Sequence, residues 1–313
     1  MLGGEDSLSC YAAQRSGLLD MHEPQLRANG RSGFRVPQKH GIFRLNSWSS
    51  GECRLSMQAL FPNDRVLCLT GTENFREVGG YPTQDGRRLS RGLIWRSARL
   101  DALTEDDAEI LNTLGIRLVA DLRRASERAG SSSDRIWPGE GVRVVWWDDL
   151  SAAAPSALAD LEHSHGDVEV YRAVIRGYYE LMAEAHIHRL SDLYCAIADG
   201  DLPVLIHCAA GKDRTGFAVA LLLKLLGIRH EYVLADYAAS ERLIDWERPS
   251  TTAAMEKIHP KARALINRSD ALYLQAALDR IDLAYGSVLA FAKARLNLSD
   301  STLENLHARL LQR

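Results

Sequence analysis

The 313-residue sequence has only five cysteines, Cys10, Cys53, Cys68, Cys195 and Cys208, an odd number with no C-x-x-C pair. That spacing argues against a disulfide framework and a zinc site, and it fits a reducing compartment. Positive charge is not in excess either: 38 Lys and Arg against 41 Asp and Glu leave a formal charge of -3. No global basic field exists to draw nucleic acid or an acidic membrane, so nucleic acid is not an expected partner, while a local basic pocket stays open. Long apolar runs are missing as well. The longest, Phe217 to Leu226, is broken by Lys224 and is too short to span a bilayer. The first thirty residues carry acids and lack an apolar core, so they do not read as a secretory signal. The expectation is a cytoplasmic protein without an integral membrane segment, with signal-less secretion left open. No internal repeat or low-complexity tract is found.

What is present is a globular composition, 46% hydrophobic and 25% charged, enough for one large domain. Residues 1–60 mix Gly, Ser, Asn and Arg without sustained periodicity. They read as a poorly ordered extension, or as sequence upstream of a truer start near Met57, and 61–313 as the catalytic domain. Residues 65–69, RVLCL, look like a short strand, and 93–97, LIWRS, like another. Thr104 and Asp107 have the spacing of a helix start, with Leu103, Ile110, Leu111 and Leu114 as the apolar stripe and Gly115 as the stop. The run 116–122, IRLVADL, follows as a buried strand. A second such unit is clearer. Helical periodicity over 168–198 ends at Gly200, PVLIH at 203–207 is a strand, and 217–226 is a strongly apolar helix closed by Gly227. Residues 230–313 are helical by pattern. Alternating helices and strands predict an α/β fold.

Between the second strand and its helix stand His207, Cys208, Ala209, Ala210, Gly211, Lys212, Asp213, Arg214, Thr215 and Gly216. A helix start leaves its first amides without intrahelical partners and adds partial positive charge, so a loop curling into one makes an anion site. Arg214, five residues after Cys208, can fold back to grip two phosphate oxygens. The same field favours the thiolate of Cys208, the form needed as a nucleophile toward a phosphoryl group. Thr215 offers a hydroxyl to that sulfur, and Gly211 and Gly216 allow close approach of backbone. His207 reads as a buttress of the loop. The bland alternative is an inert buried cysteine near a helix start. A nucleotide-binding loop fails at two places, since Ile206 and Asp213 stand where it needs Gly and Ser/Thr.

These residues, HCxxGKDRTG, resemble the signature loop of the bacterial and fungal tyrosine phosphatase family. Further segments match in order: NFREVGGY from Asn74 to Tyr81, Arg96-Ser97, the DLR of Asp121 to Arg123, Asp236-Tyr237 with Ser240, and Tyr285-Gly286-Ser287. The resemblance covers about Asp64 to Arg313. It implies a cysteine-based phosphatase fold, a small mainly parallel sheet of four or five strands flanked by helices with a helical C-terminal part. It also implies a two-step reaction through a phosphocysteine, with Cys208 and Arg214 catalytic, the loop from Ala209 to Gly216 binding substrate, and no metal or organic cofactor. The implied partners are phosphorylated proteins, phosphotyrosine first, with dual specificity and phosphoinositides linked to the Lys212-Asp213 form of the loop. There Lys212 would add charge for a second phosphate.

A general acid is also needed to protonate the leaving group. The Trp-Pro-Asp loop of many tyrosine phosphatases is not present, because Gly139 follows Trp137-Pro138. Asp149 is favoured, then Asp213, then Asp148. Asp121 and Arg123 end a strand and read as an ion pair supporting the loop or as substrate contacts. Arg76 and Arg96 are candidates for a basic pocket rim, or are ordinary surface arginines. His163, His165, His186 and His188 tempt a metal reading, but a spacing of two puts His186 and His188 on different faces of a helix. Residues 246–275 read as polar helices, a lid over the site or ordinary packing. Competing functions are a lipid or small phosphate-ester phosphatase, an inactive phosphate-binding module, and a rhodanese-type sulfur carrier.

Overall fold

The computed structural model describes residues 60, 61, 63–129, 137, 139, 141–147, 168–247 and 258–313. Residues 1–59 of the expected N-terminal extension, and Asp148, Asp149, His163 and His165, lie outside the described residues. Along the chain run strands β1 (Arg76–Glu77), β2 (Arg88–Leu89) and β3 (Ile94–Ser97), helix α1 (Glu105–Thr113), β4 (Leu118–Asp121), α2 (Ala125–Arg128) and β5 (Arg143–Trp146). Then come α3 (Val168–Ala185), α4 (Ile187–Asp199), β6 (Val204–His207), α5 (Asp213–Leu225), α6 (His230–Ala238) and α7 (Ser240–Leu243). The chain continues with α8 (Pro260–Ile266), α9 (Ala271–Tyr285), α10 (Val288–Arg295), α11 (Asp300–Leu310) and β7 (Leu311–Gln312).

Five strands form one sheet in the order β1-β3-β6-β4-β5, parallel except for the antiparallel edge strand β1. The architecture is the α/β one expected, a mainly parallel sheet flanked by helices. Parallel strands need cover on both faces, and their residues alternate accordingly. Val204 and Ile206 of β6 join the large core under α3, α4, α5 and α9, whereas Leu205 faces the smaller core with Trp95, Val119, Trp137 and Leu111 of α1.

Local chemistry accounts for the element ends. Thr104 and Asp107 form a reciprocal capping box at α1, and Asp270, Ser287 and Ser299 cap α9, α10 and α11 through their side chains. Gly200 stops α4 in the left-handed conformation, φ 102°. Helix α5 is buried along almost its whole length, consistent with its uniformly apolar sequence.

Two expectations need correction. Residues 65–69 do not extend as a strand; Val66 makes a single bridge to Arg76, and Asn63–Arg65 form a 3-10 turn. Of the stretch 246–275, read as polar helices, the described residues 258–275 carry a buried apolar face. Ile258, Ala262, Leu265, Tyr273 and Leu274 are buried, their apolar spacing hidden by the polar residues between them. No described helix is long and apolar enough to cross a membrane.

Candidate active site

Strand β6 lies at the middle of the sheet, and its register brings Ser97, His207 and Asp121 level at the carboxyl ends of three adjacent parallel strands. All three are buried. The next residue of β6 is Cys208, also buried, and the chain then loops through 209–212 into α5. Ligand sites of open parallel sheets form at this end.

The loop is held from outside by its carbonyls. The Arg99 amide donates to the Ala209 oxygen at 3.0 Å, and the Asn74 side-chain amide donates to the oxygens of Ala210 and Gly211, both at 3.0 Å. Arg96 Nη2 donates to the Gly211 oxygen at 2.7 Å. With the carbonyls of Ala209, Ala210 and Gly211 held by donors outside the loop, the N–H groups between them are left for an anion. Among the described residues no acceptor meets the N–H groups of Ala209, Ala210, Gly211 or Lys212. Gly211 is required for the turn. Its φ is +66°, and a Cβ there would sit 2.1 Å from the Ser97 oxygen. Gly216 is crowded by a side chain instead, since a Cβ would meet the Tyr237 ring at 2.8 Å.

Arg96 is in turn fixed by Asp236. That carboxylate accepts from Arg96 Nη1 at 2.5 Å, from Arg76 Nε at 3.4 Å and from the Tyr81 hydroxyl at 3.2 Å, with every partner fully buried. Arg76 also donates to the oxygens of Asp236 and Ser240. Burial, and then the neighbouring Arg96 charge, push the Arg76 guanidinium down to about 10. Burial works against ionisation of Asp236, yet the two guanidiniums hold its carboxyl below the usual range. Arg76 and Arg96 are therefore neither pocket rim nor surface; they are the interior frame of the loop.

Arg214 is likewise pinned. Its Nη1 donates to the Glu127 carboxylate at 2.6 Å and to the Leu122 oxygen at 3.1 Å, and its Nη2 to Glu127 at 2.8 Å. Burial opposes the Arg214 charge, but Cys208 and Glu127 outweigh it and raise its pKa. Glu127 moves the other way: although burial disfavours its charge, Arg214 brings it down to about 2. The Arg124 amide also donates to this carboxylate, at 2.7 Å, so one residue caps α2 and orients Arg214.

Asp121 and Arg123 form a buried pair, Arg123 Nη2 to Asp121 at 2.8 Å, extended by Arg123 Nη1 to Asp101 at 2.6 Å. Of the two readings weighed for them, the ion pair matches this geometry. His207 Nε2 lies 3.8 Å from Asp121, its pKa lowered chiefly by burial. Thr215 Oγ1 is fully buried and makes no hydrogen bond among the described residues, to the Cys208 sulfur or to any other atom. Lys212 is unlike the expectation of a substrate-facing charge. Its ammonium donates to the Ile266 oxygen and to the Arg268 oxygen, the latter at 3.2 Å, and lies 5.4 Å from the Trp246 ring centre. A second substrate phosphate would have to compete with those carbonyls. Asp213 accepts from the Tyr179 hydroxyl and approaches Lys212 at 3.4 Å. Among the described residues no His, Cys, Asp and Glu group has a metal-binding arrangement.

Sequence reasoning missed Glu127, Asp101 and Tyr179, and it gave Asn74, Asp236 and Tyr237 no role beyond their motifs. Only Glu127 left a local trace, as the third residue after the α2 cap.

A sulfur over a helix start, framed by inward amides and a fixed guanidinium, is how a protein-tyrosine phosphatase, a phosphoric monoester hydrolase, is built. The profile described as the tyrosine phosphatase family matches residues 67–312, and the chain belongs to that family. It is similar to the Mycobacterium tuberculosis protein named triple specificity protein phosphatase PtpB, 30% identical over 281 residues that span 78% of this chain and 98% of that one. It is 28% identical over 251 residues to a protein of Cupriavidus necator named as a tyrosine-protein phosphatase, across 76% of this chain and 86% of the other. A tyrosine-protein phosphatase of Nostoc commune is 29% identical over 154 residues, about half of either chain.

Proposed function

We propose that this phosphatase hydrolyses phosphotyrosine in proteins through a phosphocysteine intermediate, with residues 61–313 as its catalytic domain. The Cys208 thiolate attacks phosphorus, the S–P bond forms, and the P–O bond to the tyrosine breaks as an acid protonates the leaving oxygen. Water then attacks phosphorus, the S–P bond breaks, and inorganic phosphate leaves with the thiolate regenerated. Arg214 and the amides from Ala209 to Gly216 stabilise the equatorial oxygens in both steps. The observation that supports this reading is the outside hold on the carbonyls of Ala209, Ala210 and Gly211, with no acceptor on the intervening N–H groups among the described residues. For the acid, Asp149 lies outside the described residues and Asp213 stands in the loop itself.

Similarity to a protein named for triple specificity supports a substrate range wider than phosphotyrosine, and we extend the proposal to phosphoserine, phosphothreonine and phosphoinositides. Dispersed free cysteines, Cys68 among them on the surface, favour a reducing compartment, so we place the protein in the cytoplasm. The test is turnover of phosphotyrosine peptides and phosphoinositides by the intact protein and by Cys208→Ser. Loss of about 10³-fold or more with bound substrate retained is the expected result. Activity surviving that change would end the proposal, and turnover of lipid substrates alone would favour the lipid phosphatase.

A further inference from the structure

The buried tyrosines beside the loop have no part in the steps above. Tyr179 of α3 and Tyr237 of α6 are both about 1% exposed, with hydroxyl oxygens 2.5 Å apart and rings edge to face at 6.2 Å. Tyr179 is stacked on its other side against Tyr273 of α9, 5.8 Å between centres. Its hydroxyl reaches Asp213 Oδ1. A phenol has one hydrogen to give, so when Tyr179 donates to the carboxylate, Tyr237 donates to Tyr179. Both phenols stay protonated at any working pH, because burial, and then the Asp213 charge, raise their pKa values well above 10.

The two oxygens of Asp213 are treated differently. Oδ1 takes the Tyr179 hydroxyl and is the atom that Lys212 approaches, at 3.4 Å. Oδ2 has no hydrogen bond among the described residues, and the side chain is 31% exposed. One oxygen is anchored to the interior while the other makes no hydrogen bond among the described residues. A proton-handling carboxylate needs that asymmetry, since a group free to rotate loses the geometry that proton transfer demands.

We infer that Tyr179, backed by Tyr237, is a positioning residue that fixes the Asp213 carboxylate with Oδ2 presented to the reacting ester. The inference rests on the phosphatase reading, which Cys208→Ser tests by itself, and on Asp213 rather than Asp149 as the acid, which Asp213→Asn tests. Its own test is a double-mutant cycle of Tyr179→Phe and Asp213→Asn on phenyl phosphate and p-nitrophenyl phosphate, poor and good leaving groups. The single change Tyr179→Phe removes one hydroxyl and keeps the ring packing. Its expected effect is a roughly tenfold lower kcat on phenyl phosphate, KM within about twofold, and a much smaller loss on p-nitrophenyl phosphate. In the Asp213→Asn background the same change should cost less than about twofold. Tyr237→Phe should act in the same direction more weakly, since the direct bond to Asp213 remains. Equal losses on both esters, additive losses in the double mutant, or full activity of Asp213→Asn would each overturn the inference while leaving the Cys208 assignment standing.

Discussion

The guanidinium of Arg214 and the carboxylate of Glu127 meet through two hydrogen bonds, 2.6 and 2.8 Å long, beneath the phosphate loop. The pairing fixes the plane of the fork and leaves the remaining edge for phosphate.

Replacing Glu127 by Gln keeps the shape and removes the charge. Catalytic efficiency should fall about 10- to 100-fold, because Arg214 loses its fixed orientation. The pair also contributes stability, at most about 3 kcal/mol from the difference between the ordinary carboxyl value and the folded value of about 2. Since the folded pKa is depressed, that contribution is present above pH 4.5 and disappears as pH falls toward 2. Kinetics and urea melts of the variant measure both; unchanged kinetics would show that Arg214 needs no such support.

Gly211→Ala is the sharpest test of the loop. A left-handed φ of +66° and a Cβ placed 2.1 Å from the Ser97 oxygen cannot both be tolerated without moving the loop. Activity should drop by at least about 100-fold with the melting temperature only moderately lowered, since the clash is confined to the loop and the carboxyl end of β3. Near-normal turnover would mean the inward amides do not bind phosphate.

Asp236→Asn should act mainly on stability. It leaves Arg76 and Arg96, both fully buried, short of a counter-charge, a loss of about 3–5 kcal/mol by analogy with other broken buried ion pairs. Because Arg96 also holds the Gly211 oxygen, activity should fall before global unfolding is complete. Denaturant unfolding followed with turnover in the same samples would reveal the order.

Acid should weaken the fold earlier than carboxylates alone would require. His186 is pushed down to about 3 by burial and by the charges of Arg189, Arg214 and Arg124, and His207 is lowered chiefly by burial. Both are neutral in the folded chain and take up protons on unfolding below about pH 6.5. Stability therefore declines as pH drops through 6.5, by up to about 1.4 kcal/mol per unit for each histidine. Urea midpoints at several pH values should show that slope, and His186→Gln should reduce it by one proton. A flat profile between pH 7 and 5 would refute the assignment.

Much of this was legible in the sequence because it is local. The strand-loop-helix around Cys208, the capping box at Thr104 and the stop at Gly200 each depend on residues within a few positions. The interior frame was not legible, since Arg76 and Arg96 find Asp236 about 150 residues later, and only the folded sheet brings them together. The side-chain partners of Lys212 were hidden for the same reason: nothing near it announces the carbonyls of Ile266 and Arg268. The periodicity over 168–198 read as one helical stretch, and the chain divides it at His186 into α3 and α4. Tyr179 looked like one more apolar position on α3, and a pattern of burial cannot separate a packed phenol from one whose hydroxyl points at an aspartate.

The three groups that grip the loop carbonyls, Asn74, Arg96 and Arg99, all precede Cys208 by more than a hundred positions. Arg96 and Arg99 come alongside the loop only when β3 pairs with β6, so the shape of the loop is completed by sheet closure and not by its own sequence alone.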